Sequence, residues 1–423
     1  MKKFLTSCIG VAVLFVAGLT ASAQACQQCG VDFGCATGCG ATRSLWFYGG
    51  HLEAGIYGNS HGQRNVYNPA NRVPGESWMP QSGNTIALGP ARMADLQMNQ
   101  LYGSFGKKLD TRCGWDIGGQ VDFMYGTDAL FTQSRGLEYN VNANGNNDRW
   151  GEGDYLASFP QIFAELGYRK LSVKFGKFYT PLEEGAIASP NRFFYSTSYV
   201  HHLLPITQTG ALATWDATSR LSVYGGWTCG EDVDFDDHTA STFANERNNA
   251  ALFGFNYKVN RKIHFGYGVL MGQENDVAGV AGNKHDYFTQ SFVIGIQPNR
   301  CWDYTFEWVL RNHNREAAGV ANAMFAAYGI NQELIYKLNR CWAFGLRGEW
   351  FQNAGTVVPA AVGGARRGPS ANFYEVSLGT NWTPSKYLVV RPEIRYDICD
   401  TDYFKLGTQK EQFGFGVSTI VKF

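Results

Sequence analysis

From Phe413 to Phe423 the chain alternates in character. Phe413, Phe415, Val417, Thr419, Val421 and Phe423 share one phase, Gly414, Gly416, Ser418 and Lys422 the other, and only Ile420 breaks the pattern. Successive side chains of a strand point to opposite faces, so this segment predicts a strand with one apolar side and one small or polar side. The same period recurs along the chain. In Cys113 to Gly126, Trp115, Ile117, Val121, Phe123 and Tyr125 stand opposite Asp116, Gln120 and Asp122. In Arg300 to Arg311, Trp302, Tyr304, Phe306, Trp308 and Leu310 stand opposite Asp303, Thr305, Glu307 and Arg311. Cys341 to Phe351 sets Trp342, Phe344, Leu346 and Trp350 against Arg347 and Glu349. A strand with carboxylates at such spacing cannot lie in a dry core.

Laid out this way, the pattern predicts strands near 45–57, 94–109, 113–126, 159–169, 171–179, 207–215, 219–229, 249–257, 261–272, 286–297, 300–311, 324–338, 341–351, 371–382, 387–397 and 411–423. Sixteen is an even number and large enough for a barrel that encloses water. The connections alternate short and long. Short turns fall at 110–112, 168–170, 216–219, 258–260, 298–300, 338–340 and 383–385, and long Gly-, Asn- and Pro-rich stretches at 58–93, 127–158, 180–206 and 352–370. A transmembrane barrel predicts that alternation, with short periplasmic turns and long external loops, whereas a soluble sandwich does not. Aromatics stand beside the short turns at Trp115, Tyr168, Trp215, Tyr257, Trp302, Trp342, Trp382 and Phe423. A second set, Tyr125, Tyr179, Trp227, Trp308, Trp350 and Tyr396, follows six to ten residues along the strands. Ten residues at about 3.3 Å each and a tilt near 40° climb about 25 Å, the height of an apolar band between two aromatic girdles. The fold class expected is all-β, a transmembrane antiparallel β-barrel of about sixteen strands.

Composition narrows the class. Charged residues make up 17%, aromatics 15%, glycine 50 of 423 residues, and the formal net charge is zero. Soluble domains average roughly 25% charge, and a nucleic-acid binder would show a basic excess. Lys2 and Lys3, an apolar stretch from Ile9 to Leu19 and Ala21-Ser22-Ala23 read as a cleaved secretory signal over residues 1–23. The expected order is that signal, a Cys/Gly-rich periplasmic segment over 24–44, and an outer-membrane barrel over 45–423. Ten cysteines in an exported chain favour disulfides over metal, because Cys26, Cys29, Cys35 and Cys39 match no zinc spacing. The topology sets those four with Cys113, Cys301 and Cys341 on the periplasmic side, and Cys229 and Cys399 toward the outside.

Gln97 to Leu101 (QMNQL), Trp115 to Gln133 (WDIGGQVDFMYGTDALFTQ), Val173 to Tyr179 (VKFGKFY), Asn191 to Ser196 (NRFFYS) and Gln208 to Thr214 (QTGALAT) carry a family resemblance. On these residues the chain resembles the OmpL-like beta-barrel porin family, over most of its length after the signal. The resemblance implies an outer-membrane channel and supplies no substrate. By the same likeness, Phe423 and the alternating residues before it form the signal read by the barrel-assembly machinery.

The function expected is a water-filled channel for passive diffusion of small hydrophilic solutes or ions, embedded in outer-membrane lipid. The alternative is a structural or surface-interaction barrel with a plugged lumen. Monomer and homotrimer are both open, and no cofactor, metal or nucleic acid is expected. On the lumen phase, Arg311, Arg347, Arg391 and Arg395 gather on the later strands. The loop 180–206, with Glu183, Glu184 and Arg192, is read as folding inward so that Glu183 and Glu184 face that basic wall across a constriction, the alternative being an external cap over the barrel. Wall charges could also neutralise one another, as Arg347 with Glu349. Two tempting sites are discounted. Glu231 to His238 (EDVDFDDH) puts Asp237 where a calcium loop needs Gly, leaving an acidic external loop with loose cation affinity. Ser196, Ser198, His201 and His202 have no nucleophile elbow or triad spacing, so an enzyme is not expected.

Overall fold

The computed structural model describes residues 45–61, 94–141, 147–152, 154–182, 187–235, 249–275, 284–317, 320–353 and 371–423. The signal, the cysteine-rich segment and Glu183 and Glu184 lie outside the described residues.

Sixteen antiparallel strands close on themselves. They are β1 (Trp46–Asn59), β2 (Gln97–Lys107), β3 (Trp115–Gly126), β4 (Tyr155–Tyr168), β5 (Leu171–Tyr179), β6 (Thr207–Trp215), β7 (Leu221–Thr228) and β8 (Asn249–Lys258). The remainder are β9 (Ile263–Asn275), β10 (Lys284–Ile296), β11 (Trp302–Ala317), β12 (Val320–Lys337), β13 (Trp342–Asn353), β14 (Ala371–Ser385), β15 (Leu388–Cys399) and β16 (Glu411–Lys422). Each pairs with its neighbours in sequence, and β1 pairs antiparallel with β16 through His51 opposite Lys422 to Asn59 opposite Gly414. Closure leaves no edge strand, which a bilayer demands because lipid offers no hydrogen bonds to an open edge. Three short strands lie inside the long β3–β4 connection.

The alternating pattern reads out as an inside-out molecule. Trp115, Ile117, Phe175, Leu346, Val376 and Phe415 are exposed, whereas Glu53, Asp122, Arg347, Glu375, Arg391 and Arg395 are buried. Ile420, the residue out of pattern, faces inward and is buried. The lower aromatic ring is real: Trp115 lies opposite Tyr168, and Trp342 stacks on Trp382 at 5.9 Å. Tyr179 is a correction to the upper ring. It points inward, its hydroxyl 3.0 Å from that of Tyr102. A glycine at 176 with φ +126° interrupts the regular strand just before it. The short turns repeat one device, in which the Asn260, Asn299 and Asn339 side chains accept backbone N–H groups two and three residues on.

Wall height varies. β5 to β8 span 9, 9, 8 and 10 residues, whereas β11 and β12 span 16 and 18. Cys113 is disulfide-bonded. Cys301 and Cys341 are exposed thiols beside the short turns, and Cys229 and Cys399 are buried thiols at the opposite ends of β7 and β15, none of the four in a disulfide.

Candidate functional site: a loop crossing the lumen

The β5–β6 connection turns into the barrel. Its described part, Ile187 to Ile206, carries two single-turn helices, Ser189–Asn191 and Val200–Leu203. Phe194, Tyr195, Tyr199, Val200 and Leu203 are each at most 2% exposed, which excludes an external cap. A loop that enters a barrel cannot leave its backbone groups unpaired. Here the wall's charged side chains take the place of a partner strand.

The charges come from alternation on three adjacent strands. On β15, Arg391, Glu393, Arg395 and Asp397 occupy successive inward positions. On β13 these are Arg347 and Glu349, and on β14 Glu375 and Ser377. Register stacks them in rows. Glu349 lies opposite Glu375, which lies opposite Asp397, and the neighbouring row runs Arg347, Ser377, Arg395. A row of acids above a row holding Arg347 and Arg395 lets one guanidinium reach a carboxylate diagonally on the next strand and the other reach one along its own strand. Arg347 bonds Glu375 at 3.1 Å and Arg395 bonds Asp397 at 2.8 Å. Arg347 thus pairs with Glu375 rather than Glu349, which corrects the pairing read from the sequence.

Guanidiniums take the loop's carbonyls and carboxylates take its amides. Arg391 donates to the carbonyls of Ser189 and Arg192 at 2.9 and 3.0 Å, Arg347 to that of Ser196 at 2.8 Å, and Arg395 to that of Thr197 at 2.6 Å. Glu393 accepts the N–H groups of Tyr195 and Ser196 at 2.6 and 3.1 Å. Glu349 accepts those of Tyr199 and Val200, both at 2.6 Å. Arg347 also lies 4.7 Å from the Phe194 ring centroid, and Arg395 5.0 Å from that of Tyr199. Gly345 makes room for the aromatic pair, since a Cβ there would fall 2.3 Å from Phe193 Cε1.

Two strands further round the wall from β15, Glu53 of β1 is shared by Arg391 and Arg192, and Arg192 also reaches Asp128 at 3.4 Å. Asp128 follows β3 in the next connection, and burial pushes its carboxyl up to about 6 against the pull of Arg192. Arg311 of β11 holds the Leu203 carbonyl at 3.2 Å and pairs with Glu231 of the β7–β8 connection. Asp232 accepts the N–H groups of Ile206 and Thr207 at 3.2 and 2.8 Å. Glu231 and Asp232 are therefore buried ties between loops, which corrects the reading of this stretch as a loose external cation binder. Residues 236–238 lie outside the described residues.

Apolar contacts complete the insertion. Tyr199, Val200, Leu203 and Leu204 pack on inward residues Leu252, Leu270, Val309, Phe351 and Phe373, an apolar patch inside the barrel. The β3–β4 connection enters beside it. There β4 and β5 pair only from Tyr168 and Leu171 up to Ile162 and Lys177. Above that point Glu138 accepts the Phe159 N–H at 2.5 Å and a 2.6 Å bond from Lys177. The Ser and His group of the loop is spent on packing: Thr197 Oγ1 lies 2.9 Å from His202 Nε2, and Ser198 Oγ accepts the His201 N–H at 3.0 Å.

The structure thus brings Arg192, Arg347, Arg391 and Arg395 together under one loop and places Arg311 against its far end. It also shows that Arg347, Arg391 and Arg395 are each 1% exposed, not an open basic wall. The sequence reading missed Glu53, Glu375 and Asp397 as their partners, although all three sit on the inward phase of their strands.

Residues 49–423 match the sequence model of the family described as "Putative beta-barrel porin-2, OmpL-like". No curated protein matches the chain. Among solved structures, an anion-selective porin from Comamonas acidovorans is similar at TM-score 0.56 and 8% identity, covering 90% of this chain and 100% of that one. The outer membrane channel DcaP of Acinetobacter baumannii gives 0.55 and 9%, covering 89% and 97%. OmpT, an outer membrane protein of Vibrio cholerae, gives 0.52 and 10%, also covering 89% and 97%. At these identities the likeness is one of fold.

Proposed function

The chain belongs to the putative beta-barrel porin-2, OmpL-like family, and on that premise we propose that the loop Ile187 to Ile206 and the charged faces of β13 to β15 form the constriction of its channel. It is an outer-membrane β-barrel porin, a channel for small hydrophilic solutes. The observation that carries the constriction is the set of bonds from Arg347, Glu349, Arg391, Glu393 and Arg395 to the loop backbone. These residues hold the loop across the water path, with Arg192 and Arg311 fixing its two ends. Glu183 and Glu184 would stand where the loop leaves β5, as charges at the edge of the path. The reading needs no catalytic group.

Purified protein in a planar bilayer tests this. The wild type is expected to give stepwise conductance, and replacing Ala188 to Leu204 by a short Gly/Ser linker should enlarge the steps severalfold. Steps of unchanged size would remove the loop from the conduction path. Absence of steps in the wild type with large steps in the loop-replaced form would favour the plugged barrel, for which the apolar patch under Val200 and Leu203 is the specific support.

Two partner readings complete the proposal. At about 3.3 Å per residue and a tilt near 40°, eight residues rise about 20 Å, less than the apolar band of about 25 Å. The low wall of β5 to β8 therefore favours cover by a second and third copy, a homotrimer. The barrel-assembly machinery would read β16 and Phe423, and residues 1–23 would be the leader removed on export.

A further inference from the structure

The charge balance inside the barrel carries an inference about which solutes pass, and it rests on the channel reading above. Along the barrel strands and the inserted loop, most inward bases are matched, with Lys422 of β16 standing outside the pairs. Arg347 has Glu375, Arg391 has Glu53, Arg395 has Asp397 and Arg311 has Glu231. Lys177 has Glu138, and Arg192 lies between Glu53, already matched, and Asp128. Nearer the short turns, Lys107 pairs with Asp116 and Lys337 with Asp303, while exposed Lys108, Arg169, Lys170, Lys258, Arg261 and Lys262 make the rim itself basic. Lys174 lies opposite Glu165 in the β4–β5 register, which balances that pair too.

Carboxylates remain after this matching. Glu349 and Glu393 accept backbone N–H groups of the loop, and Glu393 also the Ser196 hydroxyl. Asp122 is held by neutral donors alone: the hydroxyls of Tyr102 and Ser104 at 2.5 and 2.6 Å, and the amides of Gln120 and Gln161 at 2.9 and 2.7 Å. Neutral donors of this kind supply no positive charge to cancel a carboxylate's own. Glu333 of β12 lies opposite Arg347 in register, but the Arg347 guanidinium turns to Glu375. Glu333 is half-buried on the inward phase of β12, since its neighbour Leu334 is exposed on the other face.

We propose that the channel prefers cations, with Glu333 as the specificity-determining residue on the inward face of β12 and Glu393 and Asp122 as further charges on the wall. The claim concerns the sign of the field and not a bound ion. Unmatched charges of one sign in a narrow lumen with low-dielectric walls enrich counter-ions, and at physiological salt their reach is about 8 Å. The arginines, conspicuous in the sequence, contribute no opposing field because each is cancelled within a few ångströms.

Reversal potentials in a KCl gradient at pH 8 test the proposal, with wild type and Glu333→Gln compared. The wild type is expected to pass K⁺ severalfold more readily than Cl⁻. Glu333→Gln should still give discrete steps while moving the permeability ratio toward unity, and the difference should shrink as salt rises. Normal steps with anion preference or no preference would overturn the proposal while leaving the channel intact. A cation preference unmoved by Glu333→Gln would overturn the role of Glu333. Absence of steps altogether would overturn the channel reading first, and this one with it.

Discussion

Asp128 shows how much one side chain can carry at the meeting of three elements. It accepts a 2.7 Å bond from the Gln100 amide and shares Arg192 with Glu53, yet burial dominates and lifts its carboxyl to about 6. A carboxyl whose folded value lies above its ordinary one near 3.8 binds its proton more tightly when folded. Its contribution to stability is complete below about pH 4 and is lost as pH rises through 6. Two pH units correspond to about 3 kcal/mol. Thermal unfolding midpoints in detergent, measured from pH 4 to 7, should fall in the wild type relative to Asp128→Asn, with the two curves diverging between about pH 4 and 6 and running parallel above that. Curves parallel throughout would show that Asp128 does not titrate in this window. Nothing in the sequence singles this residue out, because its environment is assembled from β1, β2 and the loop, far apart along the chain. The inward phase of Arg391, Glu393 and Arg395, by contrast, follows from alternation alone.

At the scale of the element, strands were legible and loops were not. Period two gives each strand and its inward face, because the pleat fixes which side every second residue takes. The strand ends shift where tertiary contacts intervene: β4 begins at Tyr155, not near 159, because the β3–β4 connection supplies partners for its upper edge. The inward course of the β5–β6 loop follows from its length and aromatic run, but its fastening does not, since carbonyls and amides bonded by side chains leave no periodic trace. The Arg391 guanidinium is the strongest single fastening, joining Glu53 to two loop carbonyls within 3.0 Å. Arg391→Ala leaves Glu53 buried beside Arg192 only and should cost about 3–5 kcal/mol, most of it in the loop. Protease digestion of the reconstituted protein should then cut within 187–206 while the barrel stays intact. A loop as resistant as in the wild type would assign the fastening to Arg347 and Arg395.

For the molecule as a whole, closure joins its two ends. Phe423 exchanges backbone hydrogen bonds of 2.9 Å with Gly50, and its ring occupies the space a Gly50 Cβ would need. Removing Phe423 should lower insertion into outer membranes while export continues, as measured by the fraction of chain that becomes heat-modifiable on gels; undiminished insertion would move the assembly signal elsewhere in β16. The loop that narrows the lumen bears on the mechanics of this closed wall. A cylinder one residue thick, joined strand to strand by hydrogen bonds, bends easily along every seam and resists flattening poorly. The loop is tied to β1 at Glu53, β2 at Gln100, β11 at Arg311, β13 at Glu349 and β15 at Arg391, points along the half of the wall that lies opposite the loop's roots on β5 and β6. It therefore acts as a set of internal spokes, and the bonds that limit what passes through the barrel also keep its cross-section round under lateral pressure from the membrane.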